Sequence, residues 1–378
     1  MFIKRLLSLV FLCSAAHAAT PPDAPGDLVI GHVAPLSGVL AKTGQQMVLG
    51  GKIYFDHINA KGGINGHKLR VVVKDDGYKV EETVRLTREA IEVDKAIALF
   101  GYAGTGNISE LLKRNVLSAA NIPLVAPYTG GEPLRKPFNP YIFHVRAGYA
   151  DETEAMVRQL VTTGGKSIGV FYQNDAFGLA GLDGVEAAAA KHGATVVGKA
   201  SYEKNTQDVE QAATALAKLN PRAVIMISVT QSTAAFIKRF RELNGSALLF
   251  SISVVNVNDL ATLLGNETLR GVGITQVAPS PMSGLLTVAN EYRTLLKKYA
   301  PQEEPNYTSF EEFLGAKVLV EGLRRSGTNP TRSKLMEALA SLKNFDLGGY
   351  DISFGETNRV GSKFVEVTMV NGSGKLKR

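Results

Sequence analysis

The sequence predicts an α/β protein made of two doubly wound lobes, each a mainly parallel sheet covered by helices on both faces. The first observation is that short apolar runs alternate with amphipathic segments from Leu28 onward. The second is that this alternation starts again near Asp151. The third is the length of 378 residues, which is too long for one ordinary core and suggests about two domains.

The first series of elements begins close to the N-terminal end of the globular sequence. Apolar runs predict strands at 28–33, 69–74, 96–100 and 122–125. Between these runs, apolar residues recur at the three-to-four-residue spacing of a buried helix face. Continuous apolar strands separated by such helices indicate a parallel sheet with both faces covered.

The second series repeats the pattern after a helix that starts near Asp151. Its predicted elements are strands at 167–171, 195–201, 223–228 and 248–251, alternating with helices at 179–192, 208–219 and 232–243. The two series resemble each other, either as an internal repeat or simply as two βαβ units. In both cases ligands bind beyond the carboxyl ends of the strands, so two facing lobes predict a cleft between them.

The first eighteen residues have the pattern of a secretory signal peptide. Lys4 and Arg5 precede an apolar stretch, and Ala16-His17-Ala18 fits the small-residue cleavage rule. We therefore expect residues 1–18 to be a signal peptide that is cleaved after Ala18, and the mature chain to be exported. Cleavage would remove Cys13, the single cysteine, so no disulfide or cysteine nucleophile is expected.

Composition excludes several classes of protein. Hydrophobic residues make up 45% and charged residues 20% of the chain, as in packed globular proteins. No stretch after the leader reaches the ~18 apolar residues of a membrane span. The net charge of +7 is spread along the sequence, without the basic stripe that nucleic-acid binders need, so no nucleic acid is expected as a partner.

Signatures of catalysis are missing. The sequence has no G-x-S-x-G, H-E-x-x-H or C-x-x-C motif, and its histidines are dispersed without the spacing of metal ligands. Gly164-Gly165-Lys166-Ser167 resembles the end of a P-loop, but it precedes a strand and Leu160 replaces the required glycine. We therefore expect no enzyme, no catalytic residue, no cofactor and no metal site.

Two glycine-containing turns follow neighbouring predicted strands, at 101–106 and 126–131. Glycine lets the backbone approach a ligand, and the free N–H groups at a helix start favour an anion. Thr105 adds a hydroxyl that can donate to a carboxylate. One such turn is an ordinary strand-to-helix connection, whereas two on adjacent strands predict a binding site.

Several motifs, in order, resemble the periplasmic solute-binding proteins of ABC importers in the branched-chain amino-acid-binding (Leu/Ile/Val) family. The most specific is Ile-Asn-Ala-Lys-Gly-Gly-Ile-Asn-Gly-His-Lys-Leu at 58–69. Others are 30–38, Asp75-Asp76, Phe100-Gly101 with Thr105, 122–125, Arg146, 172–178, and Asn344-Phe345-Asp346 with Gly348-Gly349. The resemblance covers nearly the whole mature chain.

The resemblance implies a type I periplasmic-binding-protein fold with three crossovers, near residues 147, 275 and 356. Lobe one would be 27–146 plus 276–355, and lobe two 147–275 plus 356–378. A monomer in the periplasm would close its hinge on a small solute and deliver it to an ABC permease in the inner membrane. An alternative is a sensory receptor component that presents the solute to a signalling partner through the same hinge.

The resemblance also implies a set of ligand-binding residues. Thr105 would correspond to the family's carboxylate-binding hydroxyl, and 128–130 to its turn of backbone donors. Phe177 would be an aromatic lid. The full expected set is Tyr102, Gly104, Thr105, Tyr128, Thr129, Gly130, Tyr149, Asp151, Phe177, Thr230 and Val254.

The sequence departs from the family pattern at the position expected to face the ligand's amine. Val254 stands where amino-acid binders usually offer a carboxylate, and an unpaired buried ammonium costs several kcal/mol. Either Asp151 takes over that role or the ligand is an organic acid without an amine. Asp151 has an alternative role as a helix cap. Gly130 replaces a hydroxyl residue of the donor turn, for which Thr129 could compensate.

Overall fold

The computed structural model describes residues 26–377. The expected signal peptide and its cleavage after Ala18 lie outside the described residues. Within residues 26–377, no helix is both long and apolar enough to cross a membrane.

The first lobe is built on a five-stranded parallel sheet in the order β2-β1-β3-β4-β5. All seven residues of β1 are buried, because helices cover both faces of the sheet. The elements are β1 (Leu28–Ala34), α1 (Ala41–Ala60), β2 (Leu69–Asp75), α2 (Val80–Glu92), β3 (Ala98–Phe100), α3 (Thr105–Lys113), α4 (Val116–Ala120), β4 (Leu124–Val125) and β5 (Ile142–Phe143).

The second lobe repeats the strand-and-helix alternation that the sequence predicts. Its strands β6 to β9 are parallel neighbours, and β8 is buried along its whole length. The elements are α5 (Tyr149–Thr162), β6 (Ser167–Gln173), α6 (Ala176–His192), β7 (Thr195–Tyr202), α7 (Glu210–Leu219), β8 (Ala223–Ile227), α8 (Thr230–Glu242), β9 (Leu248–Ser251), α9 (Val257–Leu264), α10 (Asn266–Leu269) and β10 (Gly273–Gln276).

The chain then returns to the first lobe before it ends in the second. Helix α12 packs its buried face on α1. The last two strands extend the second sheet into the order β14-β13-β10-β9-β8-β6-β7, with β13 antiparallel to β10 and β14 antiparallel to β13. The elements are α11 (Thr287–Tyr299), α12 (Tyr307–Arg325), α13 (Arg332–Ala340), β11 (Phe345–Asp346), β12 (Asp351–Ile352), β13 (Glu366–Val370) and β14 (Leu376–Lys377).

Three segments connect the lobes: β5 to α5, β10 to α11, and β12 to β13. The first and third run side by side, since His144 N donates to Arg359 O at 2.8 Å and Gly361 N donates to His144 O at 2.7 Å. Tyr350 ties in the second by donating its hydroxyl to Val277 O at 3.2 Å. The predicted lobe boundaries at 146/147 and 355/356 fall in these connecting segments, whereas the boundary at 275/276 falls inside β10. The division of the chain into lobes at these positions stays a prediction.

An apolar cluster joins the two lobes where their strand ends face each other. Tyr78 and Tyr128 reach it from turns of the first lobe, and Phe177, Val229 and Val254 reach it from the second. All five side chains are buried. The lobes are therefore in close contact across the cleft, in a closed arrangement.

Candidate functional site

A small cavity lies inside this apolar cluster, at the carboxyl ends of strands from both sheets. Its volume is about 20 Å³, which is room for about one water molecule. We call it the central cavity. It is lined by Leu40, Thr43, Tyr78, Ala103, Gly104, Tyr128, Tyr149, Phe177, Val229 and Val254.

Five of the predicted site residues line the central cavity: Gly104, Tyr128, Tyr149, Phe177 and Val254. The rings of Tyr149 and Phe177 meet edge to face, with centroids 5.5 Å apart. Phe177 holds this position because α6 starts beside it, where Asp175 caps the helix by accepting from Phe177 N at 3.0 Å. The two rings form an aromatic wall on the side of the second lobe.

A chain of hydroxyl groups lies directly behind the lining residues. The Oγ1 atoms of Thr105 and Thr129 are 2.7 Å apart, and Thr129 Oγ1 is 3.3 Å from the hydroxyl of Tyr149. Thr105 is the first residue of α3, so this chain adjoins the positive end of a helix. Burial raises the pKa of the Tyr149 phenol, with Arg146 opposing, which keeps the hydroxyl neutral and able to donate.

Gly130 supports the position of Tyr149. Its carbonyl accepts from Tyr149 N at 2.8 Å, and a Cβ atom placed on Gly130 would lie 2.6 Å from Tyr149 Cδ1. A hydroxyl residue at this position would collide with the ring. The glycine is therefore required by the position of the Tyr149 ring, and the nearby hydroxyl is that of Thr129. That Thr129 compensates for the missing hydroxyl of the donor turn stays a prediction.

Three of the predicted residues have side chains directed elsewhere. The Tyr102 ring packs in the core on the other side of the first sheet, where Thr87 donates to its hydroxyl at 3.3 Å. Asp151 accepts from Gly148 N at 3.0 Å and so caps the start of α5. Thr230 accepts from Asn256 N at 3.2 Å. None of these three lines the central cavity.

Five of the lining residues are not in the set expected from the sequence: Leu40, Thr43, Tyr78, Ala103 and Val229. Leu40 and Thr43 lie at the start of α1, seven and ten residues after the predicted strand 28–33. Tyr78, Ala103 and Val229 lie within four residues of the carboxyl end of a predicted strand, in the connecting turn. That position was a usable signal, since ligands bind at such ends in open α/β sheets.

Arg146 is fully buried beneath the central cavity, on the first connection between the lobes. Its guanidinium lies 5.2 Å from the ring centroid of Tyr128 and pairs with Glu152 of α5 at 3.2 Å and Glu311 of α12 at 3.3 Å. Because α5 belongs to the second lobe and α12 to the first, this group of charges spans the hinge. Burial raises the pKa of Glu311 to about 7, although Arg146 opposes the shift.

A second polar group bridges the lobes at the rim of the cleft. Lys204, which follows β7, donates to Asn107 Oδ1 of α3 at 2.6 Å and lies 3.9 Å above the ring of Tyr78. Gln173 donates to the Tyr78 hydroxyl at 3.3 Å. Both interactions join the second lobe to the first, so they stabilise the closed arrangement.

Comparison with known proteins identifies the family. Residues 27–375 match the model of a family described as periplasmic binding protein. The chain belongs to this family. A Leu/Ile/Val-binding protein homolog of Brucella abortus is 25% identical over 95% of this chain and 92% of its own length.

Solved structures confirm the fold of this binding protein as the type I periplasmic-binding fold. A substrate-binding periplasmic protein from Ralstonia solanacearum aligns with a TM-score of 0.89 and 34% identity, covering 93% of this chain and 99% of the other. A possible leucine/isoleucine/valine-binding protein from Rhodopirellula baltica aligns with a TM-score of 0.88 and 29% identity, over 95% and 97%. Both relatives are binding proteins by name.

Proposed function

We propose that this binding protein captures a small carboxylate without an amino group by closing its hinge, and delivers it to an ABC permease. The observation that carries the proposal is that none of the ten described residues lining the central cavity is charged. An ammonium group buried there would have no carboxylate partner, which costs several kcal/mol. An amine-free acid avoids that cost.

A carboxylate has partners in the same place. Thr105 and Thr129 follow the lining residues Gly104 and Tyr128 in the chain, and their hydroxyls can rotate to donate to an anion. The N-terminus of α3 adds a favourable electrostatic field for negative charge. The long 3.3 Å contact between Thr129 and Tyr149 is the one that an incoming carboxylate would replace.

Three carboxylates on the neighbouring helices α5 and α12 are already engaged. Asp151 accepts from the backbone N–H of Gly148, and Glu152 and Glu311 pair with Arg146. If one of these carboxylates paired with an ammonium instead, α5 would lose its cap or the buried charge of Arg146 would lose a partner. This supports an amine-free acid over an α-amino acid.

The closed central cavity is smaller than any organic acid, so the solute enters with the lobes apart and the lining side chains rearrange around it. The three connections between the lobes, with Arg146 on one of them, are where this hinge motion takes place. Solute binding and presentation to the permease, rather than catalysis, is the function we propose.

The test is a thermal-shift screen of protein that has been unfolded and refolded to remove copurified solute. The panel uses matched pairs that differ in the amine: leucine with isocaproate, and phenylalanine with hydrocinnamate. A ligand at 100 times its dissociation constant stabilises by about 2.7 kcal/mol, a shift of several degrees. We expect stabilisation by the amine-free members. Stabilisation by the amino acids alone would contradict the proposal.

A further inference from the structure

A second and much larger cavity lies between the lobes, beside the central one. Its volume is about 600 Å³, within the range of small-molecule sites. We call it the side cavity. It is lined by segments 255–258 and 374–376 with Gln276 of the second lobe, by 304–307 of the first, and by 280–282 of the second connection.

The two cavities share a wall. Val254 lines the central cavity and Val255 the side cavity. On the side of the first lobe, the Tyr128 hydroxyl lies 3.1 Å from Thr308 Oγ1, and the preceding Tyr307 lines the side cavity. A solute held by its carboxylate near Thr105 can therefore reach the side cavity by displacing this one layer.

The lining of the side cavity differs from an anion site. Two of its fifteen described residues are charged, Glu304 and Lys375, and they have opposite signs. The rest offer apolar surface, amides, a serine hydroxyl and a tyrosine. Asn256 uses its side-chain oxygen to cap α9, accepting from Asn258 N at 2.9 Å, and this leaves its NH₂ group to donate. Such a surface suits an uncharged, partly apolar group that can accept hydrogen bonds.

We propose that the side cavity binds the distal part of the solute. The ligand would then be an extended carboxylate whose far end is uncharged, partly apolar and carries an amide or hydroxyl group. This inference rests on the proposed function, which places the carboxylate at the central cavity. Because both lobes line the side cavity, an occupant contacts both and favours the closed form.

The experiment compares short and extended acids by isothermal titration calorimetry on refolded protein. The pairs are benzoate with para-acetamidobenzoate, and hexanoate with 6-acetamidohexanoate. In each pair the extension adds an uncharged amide with a methyl group. We expect the extended acid to bind about tenfold more tightly in at least one pair, since burying one or two further apolar groups in the side cavity stabilises by over 1 kcal/mol.

A variant that fills the side cavity separates this effect from the central site. Asn258→Trp places a ring in the cavity, while the cap bond survives because it uses the backbone N–H of Asn258. We expect it to remove the advantage of the extended acid and to leave the short acid within about threefold. Asn329→Trp, at an exposed position outside both cavities, is the matched control and should change neither.

The outcomes are distinguishable. If the short acids bind but extension gives no advantage, or if Asn258→Trp leaves the advantage intact, the side cavity does not hold the solute, while the proposed function stands. If leucine or phenylalanine binds and no amine-free acid does, the proposed function fails and this inference fails with it.

Discussion

The hydroxyl oxygens of Thr105 and Thr129 lie 2.7 Å apart, and both side chains are buried. They come from different turns of the first sheet, one opening α3 and the other following β4. Their contact brings the two glycine-containing turns together behind the central cavity. We propose that this pair of hydroxyls binds the carboxylate of the solute.

Replacing Thr105 with valine should weaken carboxylate binding and leave the fold intact. Valine has nearly the shape of threonine but no hydroxyl, so the change removes one hydrogen bond to a charged group, worth ~1.5–3 kcal/mol or about 10- to 150-fold in affinity. Calorimetry with the best amine-free acid measures it. Thr162→Val, at an exposed helix position, is the control. Unchanged affinity in Thr105→Val would mean that the carboxylate binds elsewhere.

Gly130→Ala should displace the Tyr149 ring, because the new Cβ would lie 2.6 Å from Tyr149 Cδ1. Overpacking of this kind costs about 1–3 kcal/mol, so we expect Tm to fall by several degrees and solute affinity to fall with it. Gly284→Ala is the matched control, since no atom lies within 4 Å of its Cβ position and its φ is not positive. Equal Tm values for the two variants would contradict the tight contact.

Lys204→Met should loosen the closed form. The substitution keeps the length of the side chain but removes the bond to Asn107 and the cation above Tyr78. We expect faster solute dissociation and affinity about tenfold lower, measured by surface plasmon resonance. Lys199→Met, which breaks an exposed pair with Glu186, is the control and should bind as the unmodified protein does. A slower or unchanged dissociation rate for Lys204→Met would contradict a role in closure.

Glu311 should make the stability depend on pH. Burial raises its pKa from 4.5 to about 7 in the folded chain, so the folded state holds a proton that the unfolded state has lost between these values. Its contribution to stability is complete below pH 4.5 and is lost as the pH rises toward 7. Urea unfolding of the unmodified protein and of Glu311→Gln over this pH range measures the difference between their free energies of unfolding. We expect the advantage of the unmodified protein to shrink or reverse as the pH rises. A difference in unfolding free energy that does not change with pH would contradict the raised pKa of Glu311.

The fold was predictable from the sequence because its signals are local. Each predicted strand is a short apolar run followed by a turn and a helix, and the strands at 28–34, 69–75 and 223–227 appear within a residue or so of the predicted ranges. The two turns of the first sheet were predictable for the same reason. Val254 lines the central cavity, and its position facing the ligand's amine stays a prediction.

The direction of individual side chains was not predictable in the same way. Tyr102 follows Gly101, whose φ of 62° breaks the alternation of the preceding strand, and its ring enters the core on the other side of the sheet. The ion pair between Arg146 and Glu311 was not predictable because Glu311 lies on α12, far along the chain. A buried charge gives no local pattern, and its partners become visible only when the lobes are assembled.

The most direct test of the account is a calorimetric titration of refolded protein with hydrocinnamate and phenylalanine, or with isocaproate and leucine if the screen favours the aliphatic pair. The two members of each pair share a side chain and a carboxylate and differ in the amine. We expect binding of one molecule of the amine-free acid and an affinity at least about 100-fold lower for the amino acid, since an unpaired buried ammonium costs several kcal/mol. Tighter binding of the amino acid would contradict it.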